Sequence, residues 1–265
     1  LNFENNTLRD GWQFDGHPDA IVIQGDGDRT GANTANVRVQ RNTIKNFTIG
    51  IYFDCIHNPI QGTNLIVNNV LYETSDYRYG GAANKMNGIL LDGEQVSGAA
   101  GYPINALVEN NTIDTRQVQI YSLRQVAGSI IVIKNNIFVN PPFTALFMTS
   151  NGGVVMDYSY YASADATPIK WGTTNYSLVN FKSATGQEAN SRAATTTVLD
   201  LTNIASNNYI PKATSDSVGH GADLSASFTT DRVGNTRSVP WDMGAYEYGG
   251  GDTTPPSAPT GVTVQ

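Results

Sequence analysis

Short alternations of apolar and polar residues recur along the first part of the chain, each broken by an asparagine. The segments LNFENNTLRD, NVRVQRNTIKN, NLIVNNVLY, NALVENNTID and SIIVIKNNIFVN superimpose when aligned on Asn6, Asn42, Asn69, Asn111 and Asn136. Three positions before each anchor stands Phe3, Val39, Ile66, Val108 or Ile133, and two positions after it Leu8, Ile44, Leu71, Ile113 or Phe138. The residue two before the anchor is mostly polar: Glu4, Gln40, Val67, Glu109 and Lys134. Alternate residues of a strand point to opposite faces, so the pattern predicts two short strands joined at an asparagine corner, repeated along the chain.

The anchors are 36, 27, 42 and 25 residues apart. A short unit that keeps its register while taking insertions is the mark of a solenoid. A further strand follows in each unit: HPDAIVIQGD, IGIYFDCI, MNGILLDGE, VQIYSL and TALFMT align on Ile21, Ile51, Ile89, Ile120 and Leu146. Two residues on come Ile23, Phe53, Leu91, Ser122 and Met148, again mostly apolar. Equivalent residues of successive coils then stack at the ordinary strand spacing of about 4.8 Å. No stretch carries a sustained helical stripe. The expected fold class is all-β, a parallel β-helix over residues 1–161, with VVMDYSYYASA as a looser last coil.

The pattern resembles the right-handed parallel β-helix of pectate-lyase-like proteins. That fold hosts lyases, hydrolases, epimerases and inert adhesins, so the resemblance implies an architecture and leaves the activity to the residues. Residues 162–248 read as a less regular closing segment. Its end, TTDRVGNTRSVPWDMGAYEY, resembles the closing stretch of secreted bacterial β-helix proteins through Asp231, Gly234, Arg237, Asp242, Gly244, Ala245, Tyr246 and Glu247. The resemblance implies export, to a secreted or cell-surface location. An arginine near aspartates in this stretch implies a structural ion pair, and its glycines imply tight turns. Residues 249–265 are Gly- and then Pro-rich, as linkers are. PPSAPTGVTV resembles the first strand of a fibronectin type III module, which implies further modules in a larger chain.

Composition narrows the partners. The formal net charge is −7, with 16 basic against 23 acidic residues and no basic stripe, which argues against nucleic acid. No apolar run approaches the roughly 18 residues that cross a bilayer. Cys55 stands alone, so the chain has no internal disulfide and no thiolate zinc site. His17, His57 and His220 are too scattered to match a metal motif. The chain holds 27 asparagines, a residue that tolerates the left-handed turns such corners need.

Candidate chemistry gathers on the outward positions of the third strand. One outward column reads Val22, Tyr52, Leu90, Tyr121, Phe147; the next reads Gln24, Asp54, Asp92, Leu123, Thr149. Asp54 and Asp92 fall on neighbouring coils, about 5 Å apart. Two carboxylates that close need a cation, a basic neighbour or a shared proton. Glu94 lies two residues beyond Asp92, and Tyr52 and Tyr121 lie alongside; carboxylates beside aromatics make a sugar-binding face. From anchor to aligned apolar residue the gaps are 15, 9, 20, 9 and 10 residues, so the first and third coils carry insertions. RDGWQFDGHPD brings His17 and Asp19, and ETSDYRYGGAANKM brings Arg78, Tyr79 and Lys85, as two walls of a cleft around Tyr52 and Asp54. GDGDRTGAN, with Asp26 and Asp28, resembles the opening of a calcium loop. Its twelfth position is Val37 rather than Glu, so the EF-hand pattern fails. Calcium is the one cofactor the sequence suggests.

These residues point to a polysaccharide-active enzyme. A lyase would abstract a proton beside a uronate carboxylate with Lys85, Arg78, His17 or a tyrosine as base, and neutralise the carboxylate with a cation or arginine. A hydrolase would use Asp54 and Asp92 as its two carboxyl groups. The competing reading is a non-catalytic carbohydrate-binding or adhesion module, with Tyr52, Tyr121 and Phe147 as a stacking platform.

Overall fold

In the computed structural model, residues 1–11, 18–24, 36–55, 60–74, 85–93, 102–123, 127–140, 144–149, 153–162, 167–194 and 200–249 are described. The described residues wind through six coils of three strands. The first coil holds β1 (Asn2–Glu4), β2 (Thr7–Arg9) and β3 (Asp19–Gln24), and the second β4 (Arg38–Gln40), β5 (Thr43–Lys45) and β6 (Ile49–Asp54). The third holds β7 (Asn64–Val67), β8 (Val70–Tyr72) and β9 (Asn87–Asp92), and the fourth β10 (Asn105–Glu109), β11 (Thr112–Asp114) and β12 (Val118–Leu123). The fifth holds β13 (Ile130–Lys134), β14 (Ile137–Val139) and β15 (Thr144–Met148), and the sixth β16 (Val154–Asp157), β17 (Tyr160–Ala162) and β18 (Ile169–Trp171). The first strands of all coils pair as sheet A, the second as sheet B and the third as sheet C, each parallel from coil to coil. This is a parallel β-helix, and its last coil keeps all three strands, with a third strand of three residues.

The apolar columns of the sequence are the columns of the structure. Phe3, Val39, Ile66, Val108, Ile133 and Met156 are register partners along sheet A. Leu8, Ile44, Leu71, Ile113, Phe138 and Tyr161 are partners along sheet B. Ile21, Ile51, Ile89, Ile120, Leu146 and Ile169 are partners along sheet C. They meet inside one continuous core.

The corner between sheets A and B has two parts. The residue before each anchor is left-handed: φ is 57° at Asn5, 58° at Arg41, 57° at Asn68, 51° at Asn110 and 55° at Asn135. The anchors themselves form a ladder. Asn42 Oδ1 accepts from the Asn6 backbone N–H at 2.9 Å and from Asn6 Nδ2 at 3.0 Å, and Asn69, Asn111 and Asn136 repeat this for the coil before each. Each of these four also donates Nδ2 to a backbone carbonyl of the coil before it: Phe3, Val39, Ile66 or Val108. The ladder thus satisfies backbone groups that the turn removes from the sheets and buries. Asn111→Ala would strand the amide of Asn69 and the carbonyl of Ile66 in a dry site. It is expected to cost about 2–3 kcal/mol in urea unfolding; a loss of a few tenths would mean that water replaces the ladder.

The ladder stops at Ser159, whose N–H donates to Ser191 Oγ at 2.7 Å. Here the end of the solenoid is closed. After β19 (Thr174–Tyr176), antiparallel to β18, helix α1 (Leu178–Thr185) starts at Ser177, whose side chain accepts from the Asn180 N–H, and stops at left-handed Gly186. Phe181 of α1 is fully buried against the rings of Trp171 and Tyr176. Gln187 Oε1 and the Glu188 N–H then pair with the free edge of β16 at Met156. Glu188 is fully buried, accepting from Ser159 Oγ, Tyr161 OH and Ser191 Oγ.

Burial pushes the carboxyls of Glu109 and Glu188 up to about 7 and that of Asp114 up to about 6, from ordinary values of 4.5 and 3.8. A carboxyl that holds its proton more tightly when folded supports the fold below its ordinary pKa. That support is lost as pH climbs through the folded value. Thermal midpoints are therefore expected to be higher at about pH 5 than at about pH 8, and Glu188→Gln should flatten the profile. A midpoint that rises over this range would contradict the assignment.

The closing segment lies along the flank. β20 (Arg192–Ala194) extends sheet B beyond β17, and β21 (Leu201–Asn203) and β22 (Asn208–Pro211) form a hairpin. Leu201, Tyr209, Met243 and Ala245 pack on the outward residues Val70, Ile137, Val139, Tyr160 and Ala162 of sheet B. The left-handed corner asparagines bind the same segment: Asn68 Nδ2 donates to Thr230 O, Asn110 Nδ2 to Asp242 O and Gly244 O, and Asn135 Nδ2 to Ala222 O. Gly244, at φ 88°, passes so close to sheet B that a Cβ would sit 2.4 Å from Ile137 Cδ1. Arg237 pairs with Glu247 at 3.2 Å rather than with an aspartate. These contacts fall on sheet B and on its corner with sheet A.

Candidate functional site

Among the described residues sheet C makes none of those contacts; its first outward column forms as the sequence aligns it, and its second forms from Gln24 to Leu123. Val22, Tyr52, Leu90, Tyr121, Phe147 and Lys170 are register partners down the sheet. Beside them run Gln24, Asp54, Asp92 and Leu123. Asp54 and Asp92 thus stand directly opposite on adjacent strands, one strand spacing of about 4.8 Å apart. Gln24 Nε2 donates to Asp54 Oδ2 at 3.0 Å. Both aspartates are covered, at 4% and 2% exposure. Cys55 follows Asp54, and its N–H donates to Asp92 O at 2.9 Å. Burial pushes its thiol up to about 11, and the charges of Asp54 and Asp92 add to this, so it is no nucleophile at neutral pH.

The aromatic column is a stack. The rings of Tyr121 and Phe147 lie 4.7 Å apart at 9°, and Lys170 Nζ sits 4.2 Å from the Phe147 centroid. Both faces of Phe147 are therefore engaged along the sheet, and ring edges point outward. The stack therefore presents ring edges and the Tyr121 hydroxyl rather than an open ring face. That hydroxyl is pushed up by burial and by the charge of Asp92, which ties the aromatic column to the acid pair.

Other candidates stand elsewhere. Asp19 opens β3 while Gln24 closes it, so Asp19 and the acid-pair column lie at opposite ends of the sheet, on the order of 16 Å apart. Lys85 precedes β9 and Asp92 ends it, a separation of roughly 20 Å along extended chain. Lys85 instead lies near Glu73, whose carboxyl is pushed up by burial, with the Met86 and Arg116 N–H groups and the charges of Arg116 and Lys85 offsetting part of that rise. His17, Asp26, Asp28, Arg78, Tyr79 and Glu94 lie outside the described residues. Among the described residues, no group of three or more His, Cys, Asp or Glu is arranged to hold a metal ion.

Two residues of note had only a faint signal in the sequence. Glu73 follows β8 with its carboxyl buried; Oε2 accepts from the N–H groups of Met86 at 2.6 Å and Arg116 at 3.1 Å. It braces the corner where the long insertion of the third coil returns to β9. Lys170 falls in a sixth third-strand repeat, Ile169–Trp171, whose only sequence cue is the short alternation IKW. No family model matches the chain, and no curated protein matches it.

Proposed function

We propose that this chain is an extracellular glycoside hydrolase that binds a polysaccharide along the outer face of sheet C and uses Asp54 and Asp92 as its two carboxyl groups. The observation that carries the reading is their direct register on neighbouring strands, because carboxyl groups about 5–5.5 Å apart suit a retaining mechanism. Gln24 orients Asp54 Oδ2, which suits Asp54 to the nucleophile and leaves Asp92 to protonate the departing glycosidic oxygen. The Asp54 ester formed as that bond breaks is then hydrolysed by water, whose proton returns to Asp92. Hydrolysis is favoured over elimination because Lys85 lies roughly 20 Å from the acid pair, and the Tyr121 hydroxyl beside that pair, pushed up by burial and by the charge of Asp92, holds its proton instead of standing ready to take one. The extracellular setting rests on the resemblance of the Asp231 to Glu247 stretch to secreted β-helix proteins and of PPSAPTGVTV to a fibronectin type III strand. The test is release of reducing ends from a panel of polysaccharides, with the product anomer followed by NMR. Retention is expected; product absorbing in the ultraviolet as an unsaturated uronide would replace hydrolysis with a lyase.

The burial of both carboxylates favours a second reading, a non-catalytic polysaccharide-binding module in which the pair is structural.

A further inference from the structure

We propose that Lys170 and Asn175 form an anion subsite at the C-terminal end of the sheet C face, where they hold a carboxylate or sulfate carried by the polysaccharide. The inference rests on the reading that a polysaccharide lies along this face.

Lys170 is the next rung of the aromatic column after Phe147, and Asn175 on β19 is its cross-strand partner. Directly opposed residues of an antiparallel pair hold their Cβ atoms about 4.5–5.5 Å apart. An ammonium and a carboxamide N–H are therefore carried by adjacent strands of the same face, a donor set that matches the oxygens of one anionic group. The ammonium is also positioned. It rests over Phe147, whose ring is held from its other side by Tyr121, so the lysine is oriented by a stack instead of sweeping freely through solvent.

Beyond that ring contact, neither donor is hydrogen-bonded or ion-paired among the described residues. Among the described residues Lys170 has no carboxylate partner, and the exposed Asn175 side chain makes no hydrogen bond. In a chain of net charge −7, an oriented lysine without an acidic partner among the described residues stands out. The same negative charge repels a polyanion at long range, so any capture of one must be local. The subsite lies three strands from β9, about 14 Å from the acid pair, so it reads a charge on a sugar other than the one that is cleaved.

Native electrophoresis through gels containing dextran, dextran sulfate or polygalacturonate tests this. The chain is expected to be retarded by at least one of the two polyanions more than by dextran. Lys170→Gln together with Asn175→Ala should weaken that retardation about tenfold or more, and Lys170→Arg should retain most of it. Retardation by polygalacturonate alone assigns the anion as a carboxylate, and by dextran sulfate alone as a sulfate. Polyanion retardation that survives the double substitution, or binding of dextran only, overturns the subsite and leaves the polysaccharide reading standing. No retardation by any of the three, together with no reducing-end release, overturns both.

Discussion

Arg237→Ala is expected to lower folding stability by about 3–5 kcal/mol. Arg237 is buried at 6% exposure and links the closing segment to the solenoid. Its Nη1 meets Glu247 Oε2 at 3.2 Å and Asp242 O at 3.3 Å; its Nη2 meets Asn68 Oδ1 at 2.7 Å and Gly244 O at 2.9 Å. The guanidinium also lies 5.4 Å from the Trp241 ring and 5.9 Å from that of Phe228. Burial pulls its pKa down to about 10, while Glu247, Asp231 and Asp242 hold it up, so it stays charged at neutral pH. Truncation leaves Glu247 and two carbonyls without their cation in a dry site. Arg237→Lys should recover little, because one ammonium cannot span the fork that reaches Asn68 and Glu247 together. Urea unfolding measures both variants. A loss below about 1 kcal/mol, the scale of an exposed ion pair, would mean that the solenoid stands without this anchor.

Asp54→Asn and Asp92→Asn are each expected to lower the hydrolytic rate by about 10²–10⁴-fold, the usual contribution of a positioned acid or base. The substitutions keep shape and volume, and the asparagine oxygen at position 54 can still accept from Gln24. Each also relieves the close approach of two carboxyl groups standing one strand apart, so thermal midpoints should hold or rise. This separates the two functional readings. A collapse of turnover with an intact or raised midpoint identifies catalytic carboxylates. Polymer binding that persists in both variants, with no turnover in the parent chain, makes the pair structural and the protein a binding module.

Much of the fold could be read from the chain because a solenoid repeats one local problem. Each coil must bury a residue at the same three places, so Phe3, Leu8 and Ile21 recur as Val39, Ile44 and Ile51 and onward in the register the sheets adopt. The corner asparagines were visible for the same reason, but the division of labour within the corner was not. The residue before the anchor takes the left-handed turn while the anchor builds the ladder, and asparagine serves both roles. The sequence also aligned Asp54 with Asp92 and Tyr121 with Phe147, since strand register carries side chains with it.

What the sequence by itself determined, then, was the coil, its core columns and the outward columns of sheet C. All follow from the period of two within a strand and the repeat between strands. Only the tertiary structure decided which candidates share a site. Lys85 and Asp19 were candidates through loop membership, yet Lys85 precedes the six-residue strand that Asp92 ends, and Asp19 opens the six-residue strand that Gln24 closes. Burial of Asp54 and Asp92, the engaged faces of the Phe147 ring, the plug formed by Phe181 and the path of the closing segment over sheet B arise between residues far apart in the chain. No local periodicity encodes such contacts, because each depends on which surface the folded coil leaves uncovered.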